Sequence, residues 1–398
     1  MLYYLYLNME LERYLTKNIA DDLKTKMVFV GGPRQVGKTT LARKLIAPFF
    51  KDSVYFNWDR RIDRKKILSG ELPGAPGLII YDEIHKYKKW KTFLKGEWDA
   101  HKEVYNYLIT GSARLNIYRK GGDSLLGRYH YYTLHPFTLA EIVGRKNDIE
   151  IFQPLPIESS THHQDLLVLD HYGGFPEAFL TQNDRMLRRW HNERHERLFK
   201  EDIRDLEPVR DIVTLMLLGD MLPQKVGSLL SLNAIREDLE VSHRAVTHWM
   251  NILEQFYYAF RIYPYHQKDI RALKKEPKLY LFDWSEVPDE SARFENLVAS
   301  HLLKMVHYLI DYEGYRSKLH YLRNLEKKEV DFMVTIDAKP WFAIEVKLSD
   351  TIPSPALRYF GDRYKIPYLY QICKKENVDL LRDGIRIISA DRLLAALI

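Results

Sequence analysis

The 398-residue sequence contains a single cysteine, Cys373, and no long apolar run. One cysteine excludes both a disulfide framework within the chain and a cysteine-rich zinc site, and it favours a cytoplasmic location. No stretch approaches the ~18 consecutive apolar residues that a membrane-spanning helix needs, so we predict no membrane partner. Internal repeats and low-complexity tracts are absent as well, and at about 150 residues per domain the length predicts two or three globular domains.

A strong excess of one charge sign is also lacking. The 60 basic and 54 acidic residues nearly balance and leave a formal net charge of +6. This balance permits nucleic-acid binding without arguing for it, because a dedicated binder usually shows a clustered basic patch. DNA therefore stays an open alternative as a partner.

Residues 1–145 alternate short apolar strands with helices. The strands are predicted at 27–30, 54–57, 78–81 and 107–109, and a helix is predicted over 41–50. Continuous apolar strands that alternate with helices are typical of a mostly parallel sheet covered on both faces.

A glycine-rich segment after the first strand fits the pattern G-x-x-x-x-G-K-[ST]. Two glycines let the backbone wrap a phosphate, and the following helix directs its positive end toward it. Lys38 is expected to reach the β- and γ-phosphates of ATP, and Thr39 to give its hydroxyl to Mg²⁺. The residues predicted to bind the nucleotide are Gly32, Pro33, Arg34, Gln35, Val36, Gly37, Lys38, Thr39 and Thr40.

Two adjacent acids end the strand predicted at 78–81. Asp82 is expected to hold Mg²⁺, usually through its water, and Glu83 to orient and polarise the attacking water. His85 is interpreted as a polar loop residue. The glycine-rich loop and the two acids together predict a magnesium-dependent ATPase.

Polar and basic residues farther along are candidates for supporting roles. Thr110 or Ser112, after the strand at 107–109, would sense the γ-phosphate. Arg128 or Arg114 would act as an arginine finger, and an ordinary surface arginine is the competing interpretation. A finger supplied in trans would imply a homo-oligomer, but Arg128 can also act within its own subunit.

The middle of the chain predicts two further segments. Residues 146–221 are expected to form a linker and helical lid region, in which a charged helix over 183–206 presents a solvated face. Residues 222–270 have the pattern of a winged helix-turn-helix, with helices over 232–239 and 243–256 and Ser242 as an N-cap.

The second of these helices carries only a few basic residues that could contact DNA, namely His243, Arg244 and His248. Protein contact is the alternative. The basic residues that follow are interpreted as a solvated charge run rather than as part of a phosphate-binding surface; they are Arg271, Lys274, Lys275 and Lys278.

An ordered series of motifs extends over nearly the whole chain. It comprises GPRQVGKTTLARKL, YDEIHK, LITGSARL, LLGRYHYYTLHPFTLAEI, GGFPEAFL, KEDIRDL, KLYLFDW, ARFENLVASHLL, EVDFMV and AIEVKLS. The series resembles the prokaryotic AAA-type ATP-binding proteins that carry a C-terminal domain of unknown function. The resemblance implies an ATPase core, a winged-helix element and a C-terminal domain similar to restriction endonucleases.

Acidic residues near the C-terminus suit a metal-dependent nuclease. On a strand predicted at 341–348, alternation places Ala343, Glu345 and Lys347 on one face, and the opposite face is interpreted as core. A hairpin with its tip at 337–339 places Asp331 opposite Glu345, with Cβ atoms ~5 Å apart. Mg²⁺ or Mn²⁺ between the two carboxylates would remove their repulsion, and Lys347 would stabilise a water nucleophile.

Glu295 falls inside the apolar stripe of a helix predicted over 291–309. A buried carboxylate is costly without a partner, and the metal site or Lys347 is expected to be that partner. Three interpretations stay open: active metal-dependent cleavage, a relic or binding role, and a coincidental ion pair between Glu345 and Lys347.

The predicted fold is α/β in four segments. They are an AAA-type P-loop NTPase domain with a parallel sheet (1–145), the linker and lid (146–221), the winged helix-turn-helix (222–270) and an α/β restriction-endonuclease-like domain (271–398). The predicted function is an ATPase that couples nucleotide state to DNA or partner handling through the nuclease-like domain. The alternative is a nucleotide-switched binding or regulatory protein with an inactive nuclease fold.

Overall fold

The computed structural model describes residues 11–72, 74–111, 125–204, 211–266 and 276–398. These residues divide into two compact units, Leu11–Pro136 and Phe137–Ile398. Within the described ranges, no helix is both long and apolar enough to cross a membrane. Five of the positions singled out above lie outside the described residues: Ser112, Arg114, Arg271, Lys274 and Lys275.

Five strands of the described residues form the sheet of the N-terminal unit. They are β1 (Met27–Gly31), β2 (Ser53–Asn57), β3 (Gly77–Asp82), β4 (Tyr105–Thr110) and β5 (Tyr129–Thr133). Their order is β2-β3-β4-β1-β5, and every pair of neighbours is parallel. The predicted parallel sheet is confirmed. Sequence analysis missed β5, which adds an edge strand beside β1.

Four α-helices accompany this sheet in the part of the unit that the structure describes. They are α1 (Thr16–Asp22), α2 (Lys38–Thr40), α3 (Arg61–Ser69) and α4 (Trp90–His101). The helix predicted over 41–50 begins earlier, at Lys38, because Gly37 takes a left-handed conformation with φ 98° and turns the chain into the helix. Beyond α2 the helix continues with π geometry over Leu41–Ile46 and ends in a 3-10 turn, Ala47–Phe49.

Among the described residues of the C-terminal unit, eight strands form one mixed sheet. They are β6 (Ala259–Pro264), β7 (Lys278–Leu281), β8 (Ser317–Arg323), β9 (Glu329–Ile336), β10 (Lys339–Lys347), β11 (Tyr368–Cys373), β12 (Asp379–Arg382) and β13 (Ile385–Ser389). Their order is β12-β13-β11-β10-β9-β8-β6-β7. Strands β10, β11 and β13 are parallel, whereas β8, β9 and β10 are antiparallel.

Helices in the described part of this unit vary from short turns to a 22-residue rod. They are α5 (Leu139–Ile142), α6 (His163–Tyr172), α7 (Pro176–Thr181), α8 (Asp184–Arg197), α9 (Ile212–Met221), α10 (Leu232–Asp238), α11 (His243–Gln255), α12 (Glu290–Asp311), α13 (Pro355–Tyr364) and α14 (Ala390–Ala395). The long α12 packs on β7 to β10, and α13 packs on β9 to β11.

Strand β10 is buried on both faces. Phe342 and Ile344 are buried, as the alternation predicted, but Ala343 is buried too and packs with Leu357 and Phe360 of α13. The assignment of core to one face only was therefore wrong, because a helix that the pattern of a single strand cannot reveal covers the second face.

Two helices form over the segments that predicted a helix-turn-helix. Helices α10 and α11 flank a turn in which Glu240 has φ 54°, and the Ser242 side chain accepts the backbone N–H of Ala245 at 3.2 Å. The following strand β6 pairs with both β7 and β8. Segments 222–270 and 271–398 therefore share one sheet, whereas the predicted organisation separated them.

The charged helix α8 is only partly solvated. Arg194 lies 2.7 Å from Glu286, and its guanidinium stacks 4.5 Å from the centre of the Phe175 ring. Trp190 donates to Asp283 at 3.0 Å. One side of this helix is thus anchored by buried polar contacts, which corrects the interpretation of its charges as a solvated face.

Candidate functional site

The glycine-rich loop depends on glycine at both ends. Gly32 has φ 140°, and a Cβ atom at this position would lie 2.4 Å from the carbonyl oxygen of Leu134. Gly37 is left-handed and starts α2. Any other residue would strain the backbone at both points, so the two motif glycines fix the path of the loop.

The side chain of Lys38 crosses this loop. Its Nζ donates to the carbonyl oxygens of Gly32 at 3.0 Å and Pro33 at 2.6 Å, and the residue is buried. The ammonium is thereby held at the mouth of the loop, where the N–H groups of a P-loop meet phosphate.

Arg13 supports the loop and was missed by sequence analysis. Its buried guanidinium donates to the carbonyl oxygen of Val36 at 2.9 Å and to that of His135. Nothing in the local pattern around position 13 signals this role, since the two contacted carbonyls lie 23 and 122 residues away.

Asp82 is the centre of the site. Its Oδ2 accepts hydrogen bonds from the hydroxyls of Thr39 at 3.0 Å and Tyr55 at 2.6 Å, and its Oδ1 accepts from Thr110 at 2.6 Å. The structure thus brings together Thr39 and Asp82, the two predicted magnesium ligands. Thr110, predicted to sense the γ-phosphate, contacts the carboxylate of Asp82.

Tyr55 is the second residue that sequence analysis missed. Burial and its hydrogen bond to Asp82 raise the pKa of Tyr55 to about 12, so the phenol stays a donor at neutral pH. The guanidinium of Arg43 lies 4.7 Å from the centre of its ring. The tyrosine on β2 therefore fixes the orientation of a carboxylate on β3.

Glu83 follows directly and has a left-handed backbone, with φ 57°. Its N–H donates to the carbonyl oxygen of Thr110 at 2.9 Å, which holds the residue against the end of β4. Its Oε2 lies 3.5 Å from Nε2 of His85 and 3.7 Å from Nζ of Lys86. Burial raises the pKa of Glu83, although Lys38 and Lys86 oppose this effect.

His85 is buried, which corrects its interpretation as a polar loop residue. Arg128 forms a two-pronged pair with Asp99 of α4, at 3.0 Å from Nε and 3.3 Å from a terminal nitrogen. Its role as an arginine finger stays a prediction.

The predicted hairpin forms in the C-terminal unit, but its turn is shorter than predicted and one strand contains a bulge. Asp337 and Ala338 both have positive φ, and Ile336 pairs with Lys339 across this two-residue turn. A bulge between Pro340 and Phe342 then shifts the register by one residue, so that Ile344 pairs with Phe332. The combination reproduces the predicted register, in which Glu345 follows opposite Asp331.

Glu295, Glu329 and Asp331 form an acidic cluster, and Lys278 of β7 lies in the middle of it. Its Nζ lies 2.7 Å from Glu329, 3.1 Å from Glu295 and 3.2 Å from Asp331. Burial lowers the pKa of Lys278, but Asp331, Glu295 and Glu329 outweigh this effect and raise it overall. The residue is 2% exposed, so its interpretation as part of a solvated charge run was wrong.

Glu295 is partly buried, with 18% of its side chain exposed, and its partners differ from those expected. Its Oε1 accepts from the Tyr280 hydroxyl at 2.7 Å and from Lys278 at 3.1 Å, whereas the metal site or Lys347 had been expected. Burial and the neighbouring Asp331 raise the pKa of Glu295 to about 7, although Lys278 and Tyr280 oppose this rise.

Glu345 and Lys347 form a pair beside this cluster. Lys347 Nζ donates to Oε1 of Glu345 at 2.7 Å, and Oε2 of Glu345 is buried without a hydrogen-bond partner in the described chain. Burial and Asp331 raise the pKa of Glu345 to about 7. Asp331 Oδ2 accepts the backbone N–H of Val346 at 2.9 Å, which ties β9 to β10.

The residues fit a metal ion poorly in this arrangement. Among the described residues, no group of three or more His, Cys, Asp or Glu side chains is arranged to hold a metal. The ammonium of Lys278 supplies the positive charge that we had assigned to a cation between the carboxylates. Sequence analysis had a signal for this role, because Lys278 starts the apolar strand KLYL, which is buried throughout.

The residues predicted to contact DNA are accessible to solvent. His243, Arg244 and His248 are all exposed on α11. His191 and His195 of α8 are half-buried, and they contact Ser285 at 2.9 Å and Asp220 at 3.1 Å respectively.

Three family models match consecutive parts of the chain. Residues 24–143 match an AAA domain, residues 164–285 match a domain of unknown function (DUF8612), and residues 290–393 match another (DUF4143). Lys278 belongs to the second match, whereas Glu295, Asp331 and Glu345 belong to the third. The acidic cluster and its lysine therefore come from two matched segments.

Curated relatives are similar over most of the chain. An uncharacterized protein of Mycobacterium tuberculosis is 21% identical over 345 residues, which cover 82% of this chain and 71% of the relative. An uncharacterized protein of Methanocaldococcus jannaschii is 23% identical over 353 residues, which cover 83% of this chain and 76% of the relative.

Solved structures with detectable similarity include the Thermotoga maritima RuvB Holliday junction branch migration motor. That match is 18% identical, covers 66% of this chain and 93% of the other, and has a TM-score of 0.30. A Bacteroides Pif1 bound to single-stranded DNA is 16% identical over 42% of this chain and 57% of its own, with a TM-score of 0.23. The matched segment 24–143, with its glycine-rich loop and parallel sheet, makes the N-terminal unit an AAA-type P-loop domain.

Proposed function

We propose that the N-terminal unit binds ATP with Mg²⁺ and hydrolyses it. The observation that carries this proposal is the 3.0 Å hydrogen bond between Thr39, at the end of the glycine-rich loop, and Asp82, at the end of β3. In this hydrogen bond the two predicted metal ligands are in contact, and Glu83 follows Asp82 directly in the chain. The match to an AAA domain supports the same conclusion.

The loop residues hold the phosphates in this proposal. The backbone from Gly32 to Thr40 wraps the β- and γ-phosphates, and Lys38 moves its ammonium from the loop carbonyls onto phosphate oxygens. The Thr39 hydroxyl and the Asp82 carboxylate would hold Mg²⁺, which neutralises charge on the phosphates when it is bound. Tyr55 and Thr110 keep the Asp82 carboxylate in one orientation.

Glu83 orients the attacking water and accepts its proton. A carboxylate whose pKa is raised by burial is a stronger base than an exposed one, which suits this task. Arg128 would stabilise charge on the transferred phosphoryl group, either in its own subunit or in a neighbouring copy. In either case it would first have to leave Asp99.

The experiment compares ATP binding and ATP hydrolysis in three variants. Lys38→Ala should lose both, whereas Glu83→Gln should bind ATP and hydrolyse it about 10² to 10⁴ times more slowly. Lys44→Ala removes an exposed lysine from the same helical segment and should match the wild type. Wild-type hydrolysis by the Lys38→Ala protein would refute the proposal.

For the C-terminal unit we favour the switch alternative over active cleavage. Lys278 already neutralises two carboxylates of the proposed nuclease site, because its Nζ lies 3.2 Å from Asp331 and 3.1 Å from Glu295. Nucleotide state would then be coupled to binding of DNA or of a protein partner, with His243, Arg244 and His248 as exposed candidates for contact. Nuclease chemistry at Asp331, Glu345 and Lys347, with Glu295 and with Mg²⁺ or Mn²⁺, remains the competing proposal.

Incubation with DNA and RNA in Mg²⁺ or Mn²⁺ separates these two proposals. The switch proposal predicts no cleavage by the wild type. Cleavage that is lost in both Asp331→Ala and Glu345→Ala would instead establish the nuclease site.

A further inference from the structure

The C-terminal unit contains a cavity of about 300 Å³, and none of its lining residues belongs to the acidic cluster. Basic side chains dominate its lining, namely His266, Arg316, Lys318 and His320, and Tyr265 and Thr335 complete its walls. Asp337 is the acidic residue among the lining side chains. We propose that this cavity binds a terminal phosphate group, either of a free mononucleotide or of a nucleic-acid strand end.

Strand register brings the basic residues together. Lys318 of β8 pairs directly with Thr335 of β9, and His320 pairs with Met333. Side chains two residues apart on a strand share a face, so Lys318 and His320 both lie beside Thr335. Arg316 immediately precedes the strand and extends the same row.

The rim of the cavity is fixed by the tight turn between β9 and β10. Asp337 and Ala338 both line the cavity, and both have positive φ. The N–H of Asp337 donates to the carbonyl oxygen of Arg316 at 3.1 Å. The turn therefore holds the backbone of Arg316 at the rim, where its guanidinium can contact an anion.

The aromatic wall is equally well supported. The Tyr265 ring meets the His320 ring edge-on, with centroids 5.5 Å apart, and meets the Tyr364 ring at 5.2 Å. The N–H of Tyr265 donates to the carbonyl oxygen of Tyr321 at 2.8 Å, which aligns this residue with β8. The wall is thus built by packing within the unit.

Thr335 supplies an independent observation that points to a ligand. It is 1% exposed, and its Oγ1 is buried without a hydrogen-bond partner in the described residues. A buried hydroxyl is usually satisfied, because an unpaired polar atom is costly. A bound oxyanion would accept a hydrogen bond from this hydroxyl.

Charge and size define the class of ligand. Arg316 and Lys318 outweigh Asp337, so the cavity favours an anion. Guanidinium and ammonium groups together are a common arrangement for phosphate oxygens. The volume lies at the lower end of the range for small-molecule sites, which excludes large ligands and admits a mononucleotide or the phosphorylated end of a nucleic-acid strand.

The test measures phosphate binding outside the P-loop. In the full-length Lys38→Ala protein, titration calorimetry with inorganic phosphate and AMP should still detect binding. Adding Arg316→Ala or Lys318→Ala should weaken that affinity about tenfold or more, since each removes a charge-assisted hydrogen bond. Thr335→Val, which keeps the shape but removes the hydroxyl, should weaken it as well.

Lys339→Ala is the matched control, because Lys339 is exposed beside the same turn but does not line the cavity. Thermal unfolding verifies that every variant is folded. No binding in the Lys38→Ala protein, or equal affinity in Lys318→Ala and Lys339→Ala, would overturn the proposal. If a 5′-phosphorylated oligonucleotide binds more tightly than both AMP and the same oligonucleotide without its phosphate, the ligand is a strand end. If AMP binds more tightly than the oligonucleotide, the ligand is a free nucleotide.

Discussion

The side-chain nitrogen of Lys278 lies 3.2 Å from a carboxylate oxygen of Asp331, although the two residues are 53 positions apart in the chain. Glu295 and Glu329 contact the same ammonium. Three partly buried carboxylates this close together repel one another unless a positive charge compensates them, and this buried lysine provides it. The result changes what Asp331 of β9 implies, because a lysine ammonium lies beside this carboxylate where a metal ion had been expected.

Lys278→Met should destabilise the C-terminal unit strongly. The substitution leaves three carboxylates around a buried position without their cation, and breaking a buried ion pair from one side costs about 3–5 kcal/mol. Unfolding free energies from urea titrations at pH 8 measure this loss. Lys339→Met, at an exposed position, should change the free energy by less than about 0.5 kcal/mol. Equal effects of the two variants would contradict the central role of Lys278.

Glu345→Gln should stabilise the protein at pH 8. The folded-state pKa of Glu345 is raised from 4.5 to about 7, so the folded state favours the protonated carboxyl. Stability from this group is fully present below pH 4.5 and is lost as the pH rises through about 7. A neutral glutamine avoids that loss, which is worth about 1–3 kcal/mol.

The measurement is the difference in unfolding free energy between Glu345→Gln and the wild type, at several pH values from 4.5 to 8. The difference should grow across this window. Glu326→Gln, at a position whose side chain is 74% exposed, should show no such growth. A difference that stays constant with pH would show that Glu345 does not titrate as described.

Tyr55→Phe should reduce ATP hydrolysis without removing ATP binding. The change deletes the 2.6 Å hydrogen bond to Asp82 but keeps the ring that Arg43 covers. Loss of a group that orients a metal ligand typically costs 10- to 100-fold in activity or metal affinity, so hydrolysis should fall by about 10- to 100-fold. Steady-state hydrolysis over a range of Mg²⁺ concentrations measures both the turnover and the apparent affinity for the metal. Tyr87→Phe, which changes a tyrosine packed on Trp58, is the control and should match the wild type.

Arg128→Ala tests the arginine finger. A finger contributes about 10³ to 10⁵ in turnover, whereas an exposed pair with Asp99 contributes about 0–1 kcal/mol to stability. Hydrolysis should therefore fall by at least about a thousandfold in Arg128→Ala and should persist in Asp99→Asn. Similar turnover in both variants would assign Arg128 to the ion pair alone. Restored hydrolysis after Arg128→Ala is mixed with Lys38→Ala would show that the finger acts between copies.

Local patterns predicted much of the N-terminal unit. The strands β1 to β4 are continuous apolar runs, and the glycine-rich loop is specified by two glycines that need positive φ. Strand β5 was missed because YHYYT mixes aromatic and polar residues, and only its pairing with β1 makes it a strand. Arg13 and Tyr55 were missed because their partners lie on other elements.

In the C-terminal unit the alternation predicted the register of Asp331 and Glu345, but not their environment. A two-residue turn and a bulge produced the register that a three-residue tip had predicted. The second buried face of β10 depends on α13, and the partner of Glu295 depends on β7. None of these contacts leaves a trace in the periodicity of a single strand or helix.

The sequence by itself determined the phosphate-binding loop, the two acids after β3 and the absence of a disulfide framework, because these follow from residue type and short spacing. Only the tertiary structure decided which charges meet. In the sequence, Lys278 is one more basic residue in a polar stretch. In the structure it lies on β7 in contact with Glu295, Glu329 and Asp331, and it is only 2% exposed. The burial of a charge and the identity of its partners are properties of packed elements, so the chemistry of the acidic cluster could not be derived before the fold was known.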